Sequence, residues 1–285
     1  MKIGFHGLLI AFGFLGVGCA ETFQQLPSES PKMSAAARPS TSNPEMSSAL
    51  TQKVRIAEEI GQYLLLQDIL AAKGNDVVDK EPTLREDVQR QGWIVVQDDR
   101  CALVRFFGQN GDQYASLYDV CFRLDSLSGA EWSSELIKHE TPQNLPPTQQ
   151  HMVRARQLAI ASLTERCSDQ YRLVMLPGNI DNQKIWAIYL IPSSKNSDSV
   201  MVGGHTMIAV SEDGTKVLRT SQLSKCFELP VGKGVPLTMS ETMSDTPTEF
   251  HVYLSQMRNT PLYVATKFGL WRLDQGHVRL LDDPR

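Results

Sequence analysis

The sequence predicts an α+β fold: a largely antiparallel sheet with helices packed on it, the helices lying mainly in the N-terminal half. Three observations carry that expectation. Apolar residues recur at helical spacing up to about residue 166, short strand-like runs follow from Tyr171 onward, and turn signals rather than helical crossovers join those runs.

In chain order, Val54, Ile56, Ile60, Leu64 and Leu70 recur among charged residues and predict a helix from Ala49 to about Lys73, stopped by Gly74-Asn75. Pro82-Thr83-Leu84-Arg85-Glu86 has capping-box spacing, Thr83 at the cap and Glu86 three residues on, so a short helix ending at Gly92 is expected. A strand starts at Trp93. Two further strands, one on each side of Asn110-Gly111, predict a hairpin. Pro146-Pro147-Thr148 opens another helix, running through Met152, Ala155 and Ala159 toward Arg166.

Strands are then expected over 171–176, 184–191, 200–211, 216–221, 250–255 and 262–266, with two more pieces in 270–281. Glu212-Asp213-Gly214-Thr215 and Asp274-Gln275-Gly276 supply hairpin turns. Both alternating faces of 185–191 are apolar, which places that strand inside the sheet, with the helix opened by Pro147 as its nearest cover.

The first residues speak of targeting. Lys2 precedes an apolar, glycine-rich stretch from Ile3 to Val17, short of the about 20 residues a bilayer crossing needs, and so fitting a signal segment over residues 1–18. Leu15-Gly16-Val17-Gly18-Cys19 resembles the lipobox of bacterial lipoproteins, with Gly16 where leucine is expected and the small Gly18 beside the cysteine. The resemblance implies a diacylglycerol on Cys19, which becomes the new N-terminus and attaches the protein to the membrane. Ordinary cleavage after Ala20, giving a soluble periplasmic or secreted protein, is the alternative. In a diderm bacterium the absence of aspartate after Cys19 favours the periplasm-facing outer membrane.

Residues 19–48 are polar and Pro/Ser-rich and cannot bury enough apolar surface to order themselves, so they read as a disordered tether. The remaining 49–285 form a globular body, with a sub-boundary open near residue 145. At 41 % hydrophobic and 21 % charged its composition is that of an ordinary folded domain. The formal charge of −4 falls to −5 once Lys2 leaves with the signal, which speaks against nucleic acid as a partner.

Cys101, Cys121, Cys167 and Cys226 are an even set in an exported chain, and two disulfides are expected. Four cysteines allow three pairings, among which the sequence alone does not choose, but the hairpin favours Cys101–Cys121. A two-residue loop at Asn110-Gly111 sets Cys101 opposite Val120, and a one-residue bulge or longer loop would bring it to Cys121. Cys167 with Cys226 is then the second pair. No CxxC or CxxH spacing points to a metal, and no cofactor is expected.

Catalytic signals are sparse. Gly203-Gly204-His205 and His251 are the candidates for a histidine-based site, set against a reading in which the glycines make a bend and His205 starts a strand. His139-Glu140 lacks the second histidine of a zinc-peptidase helix, Gln143 standing there, and reads as a solvated turn. Gly232-Lys233-Gly234 lacks the rest of a phosphate loop, and Asp181-Asn182 reads as a turn.

Gly-Gly-His, a strand, Asp-Gly, a strand, Leu-Ser-Lys-Cys at 223–226, Pro261-Leu-Tyr-Val-Ala-Thr and Gly269-Leu-Trp together resemble a group of uncharacterised exported proteins of Gram-negative bacteria. That resemblance spans the last half of the chain and implies export and strand layout, with no activity attached. The leading expectation is a non-catalytic envelope module that binds a protein or other envelope component, an inhibitor or immunity protein being one form of it. The competing expectation is an envelope hydrolase using His205 and His251.

Overall fold

The computed structural model describes residues 11–12, 48–97, 101–123, 132–196, 198–222, 225–231 and 234–281. Cys19, the tether, and Gly232 and Lys233 lie outside these residues. Antiparallel sheets dominate, at 44 % strand against 28 % helix, which is the α+β class expected.

The central sheet has the order β1-β6-β7-β9-β10 (Ala11–Phe12, Tyr171–Ile180, Gln183–Pro192, Thr206–Ser211, Val217–Gln222). Only the two-residue β1 runs parallel in this sheet, beside Asn179 and Ile180. β7 lies inside the sheet as its two apolar faces require. Ile188 and Leu190 face Val153, Ala155 and Ala159 of α3 (Pro147–Ser162). Ala187 and Tyr189 face Ile60 and Leu64 of α1 (Ser48–Asp79) and Phe250 and Tyr253 of α4 (Glu249–Arg258). Asp181 and Asn182 both have positive φ and form the tight β6–β7 turn, in which short polar side chains tolerate the left-handed region.

A four-stranded meander, β2 to β5 (Gly92–Gln97, Ala102–Asn110, Gln113–Arg123, Ser133–Asn144), packs Val104, Phe106 and Tyr118 against Leu70 and Val78 of α1. Ile94 and Phe107 of the same meander join the core under α3, so apolar packing is continuous across residue 145. The C-terminal sheet, β12 to β15 (Leu237–Ser240, Leu262–Thr266, Gly269–Asp274, His277–Leu280), buries Val264, Trp271 and Leu273 against Val252 and Leu254 of α4. β8 (Ser199–Met201) and β11 (Glu228–Pro230) form a separate ribbon.

Several elements depart from expectation, each for a physical reason. Residues 250–255 are helical: a helix buried on more than one side loses its polar stripe, and Phe250, Val252 and Leu254 then mimic strand alternation. α1 runs through Gly74-Asn75 to Asp79 because Gly74 lets Val104 approach; a Cβ there would lie 2.8 Å from Val104 Cγ1. The second helix, α2, is only Pro82–Arg85, with Glu81 as N-cap, since Pro82 takes the first helical position. α3 stops at Ser162 rather than Arg166. The strand expected over 200–211 is broken at 202–205. β5 is so polar, as an exposed edge strand, that it carries no apolar alternation to read.

Both disulfides form as paired, Cys101–Cys121 with Cα atoms 5.6 Å apart and Cys167–Cys226 at 5.3 Å. The hairpin register differs. Asn110 pairs with Gln113, so the turn is Gly111-Asp112, and a bulge follows between Phe106 and Phe107. Leu103, not Cys101, stands opposite Cys121, and Cys101 reaches its partner from just before the strand.

Candidate functional site

A groove of about 690 Å³ opens between α4 and the segment that leaves β7. β6 contributes Arg172, the β7 exit Ser193 to Asn196, the β8 ribbon Ser199 to Met201, and α4 contributes Tyr253, Leu254, Met257 and Arg258. α4 is well set to form this wall. Thr248 is its N-cap in a capping box with His251, and Asn259, in the left-handed region, ends it. Its other side is fixed on α1, where Gly61 leaves no room for a side chain: a Cβ would lie 2.5 Å from that of Val252.

Arg172 is anchored in the wall. Its Nη1 donates to Asp68 Oδ2 at 2.6 Å, and the Tyr253 hydroxyl donates to the same oxygen at 2.9 Å. Asp68 is buried while the Arg172 side chain is 44 % exposed, so the pair fixes the guanidinium at the groove edge. Burial raises the Tyr253 phenol above its ordinary pKa, with the Asp68 carboxylate adding to the effect, and keeps it a donor. Lys195 follows in the loop. Its backbone N–H donates to Glu228 Oε1 at 2.9 Å, an oxygen that also takes the Ser199 hydroxyl. Arg258 Nη2 donates to the Val235 carbonyl at 3.3 Å, and its Nε is buried without a partner.

His205 lines the groove and also a neighbouring cavity of about 50 Å³ that contains His251 and Glu241. The structure therefore does bring the two sequence candidates together. Each imidazole is nevertheless built into the packing. His205 is buried, its ring 4.7 Å from that of Phe250. His251 Nδ1 accepts the Thr248 backbone N–H at 3.0 Å, so the neutral ring carries its proton on Nε2, 3.8 Å from Glu241 Oε2. Glu241 itself accepts the N–H groups of Met243 and Ser244. Burial drives the His205 pKa down to about 3, helped by the nearby His251, and that of His251 down to about 4.

No family model, curated protein or solved structure matches the chain. The site must speak for itself. Among the described residues no group of three or more His, Cys, Asp or Glu is placed to hold a metal ion, and no helix is long and apolar enough to cross a membrane.

Gly204 proves to be a packing device. Gly204 has φ +78°, and a Cβ on it would lie 2.2 Å from Cys167 Sγ. The glycine makes way for the disulfide. His139 is likewise not in a solvated turn: it lies on β5, largely buried, with Nε2 3.3 Å from Asp119 Oδ2. Asp119 also receives both Nε and Nη2 of Arg105 and the Ser116 hydroxyl, while Arg105 Nη1 reaches Gln149 on α3. That cluster ties the meander to α3 and lies apart from the groove.

Arg172, Lys195 and Arg258 escaped sequence reasoning because they come from a strand, a loop and a helix with no common spacing. Reading 249–258 as a helix would have exposed one signal, a basic residue in its last turn.

Proposed function

We propose that the protein is an exported, lipid-anchored component of the cell envelope that acts as a non-catalytic binding module, presenting this groove from the end of its tether. The observation that carries the reading is the groove itself. At about 690 Å³ it is of ligand size, with donors and apolar side chains lining it together. The two disulfides support export, since such bridges persist in oxidising compartments. The alternative, hydrolysis through His205 and His251, needs an imidazole that takes up a proton near neutral pH. A ring held to about 3 and another to about 4, its Nδ1 spent on a helix cap, are poorly poised for that work.

Two measurements test the proposal. Cys19→Ser should abolish lipid labelling and release the chain to the soluble periplasm; unchanged membrane association would overturn the anchor. Crosslinking in intact envelopes from a reporter placed at Met257 should capture a ligand or partner. Equal capture from a reporter on the remote exposed Val88 would remove the groove's claim.

A further inference from the structure

We infer that the groove takes an amphipathic anion, an organic carboxylate or phosphate with an apolar body, and that Arg258 is its charge anchor. This rests on the binding reading above and gives it a ligand class. Three cationic side chains line the groove, Arg172, Lys195 and Arg258, and no carboxylate does among the described residues. Their charges are not equally available. Asp68 is ion-paired with Arg172, and Glu228 lies beside Lys195 at the rim. Arg258 has no carboxylate within ion-pair distance among the described residues; its one hydrogen-bond partner is a backbone carbonyl.

Its buried Nε, without any partner, is the second observation. An unsatisfied buried N–H costs folding free energy, and an anion bound at the exposed Nη end of the same guanidinium would offset part of that cost by its charge. Ile191, Val200, Met201, Leu254 and Met257 give the same space an apolar side. A wholly polar anion such as inorganic phosphate would leave that surface wet. An uncharged apolar body would leave Arg258 unmatched. A single molecule carrying both features satisfies both surfaces.

The test uses two fluorescent probes on the Cys19→Ser chain, which needs no detergent. These are 1-anilinonaphthalene-8-sulfonate, an amphipathic anion, and N-phenyl-1-naphthylamine, its uncharged counterpart. Saturable one-to-one binding of the sulfonate is expected. Arg258→Gln should weaken it tenfold or more while leaving the neutral probe within twofold, and Arg258→Lys should recover part of the loss. Asn196→Glu, a change at an exposed polar position of the groove wall, should have the same selective effect and guards against misfolding of the Arg258 variants.

Competition by decanoate and by decyl phosphate separates a carboxylate source from a phosphate source; displacement by neither overturns the proposal. Equal loss of both probes, or none, in Arg258→Gln and Asn196→Glu overturns the anion class while the groove reading stands. Failure of either probe to saturate overturns the groove reading itself.

Discussion

At Gly204 a single missing carbon decides whether a disulfide fits. Substitution by alanine meets two penalties at once, a left-handed backbone and a Cβ 2.2 Å from Cys167 Sγ. Gly204→Ala is expected to cost about 2–4 kcal/mol, read as a lower urea midpoint, with loss of the 167–226 peptide in non-reduced mass mapping. An intact bridge and unchanged midpoint would show that the backbone can yield there. The buried imidazoles give a second residue-scale prediction. Both folded pKa values lie below the ordinary imidazole value of 6.5, so the native state binds fewer protons than the unfolded chain. Their stabilisation is complete above about pH 6.5 and is lost as pH falls toward 4 and then 3. Each imidazole contributes a slope of up to about 1.4 kcal/mol per pH unit. Glu249, raised by burial, acts in the opposite sense: the fold gains from it as pH falls and loses as pH rises through its folded value. Two histidines outweigh one carboxyl, so urea midpoints should drop between pH 7 and pH 5; a flat profile would contradict the burial of these rings.

At the scale of elements, α4 matters most because it bounds the groove and both imidazoles depend on it. Thr248→Ala removes one member of the capping box and should cost about 1 kcal/mol. Gly61→Val is the sharper change. It drives a branched side chain into Val252 and the Glu249 carbonyl, so α4 must shift on α1, with an expected loss of about 1–3 kcal/mol and weaker binding of both naphthyl probes. Retained stability and binding would mean that α4 is not held by this contact. The same helix explains a limit of sequence reading. Period-3.6 spacing identifies α1 because one side of it meets water, whereas α4 touches α1, the central sheet and the C-terminal sheet. β5 is the converse: an edge strand on which only Leu136, Ile137 and His139 are partly covered, it carries no apolar alternation.

For the whole molecule, the two bridges close loops of unequal length, with sequence separations of 20 and 59. On the chain-entropy model they contribute about 3 and about 4 kcal/mol. The double alanine variant at 167 and 226 should therefore lower the urea midpoint more than the one at 101 and 121, and the reverse order would count against a loop-entropy origin. Packing joins the parts into one framework: α1, 32 residues and about 48 Å long, supplies Leu70 to the meander's core, Leu64 to that of the central sheet and Val54 to that of the C-terminal sheet. Arg156 reinforces the seam under α3. Burial lowers its pKa to about 10, and it lies over the rings of Trp93 and Phe107.

By itself the sequence determined the fold class, the interior place of β7 and the turns at Gly214 and Gly276, because each depends on local periodicity or turn chemistry, and cysteine parity pointed to two bridges. The tertiary structure alone decided that 249–258 is helical, which cysteines pair, that the first hairpin turns at Gly111-Asp112, that Gly204 makes room for a disulfide and that two histidines 46 positions apart share one buried corner. It alone assembled Arg172, Lys195 and Arg258 around one groove. The reason is physical: propensity and pattern report what a residue does with its chain neighbours, whereas burial on several sides and the convergence of distant cations are set by packing between elements.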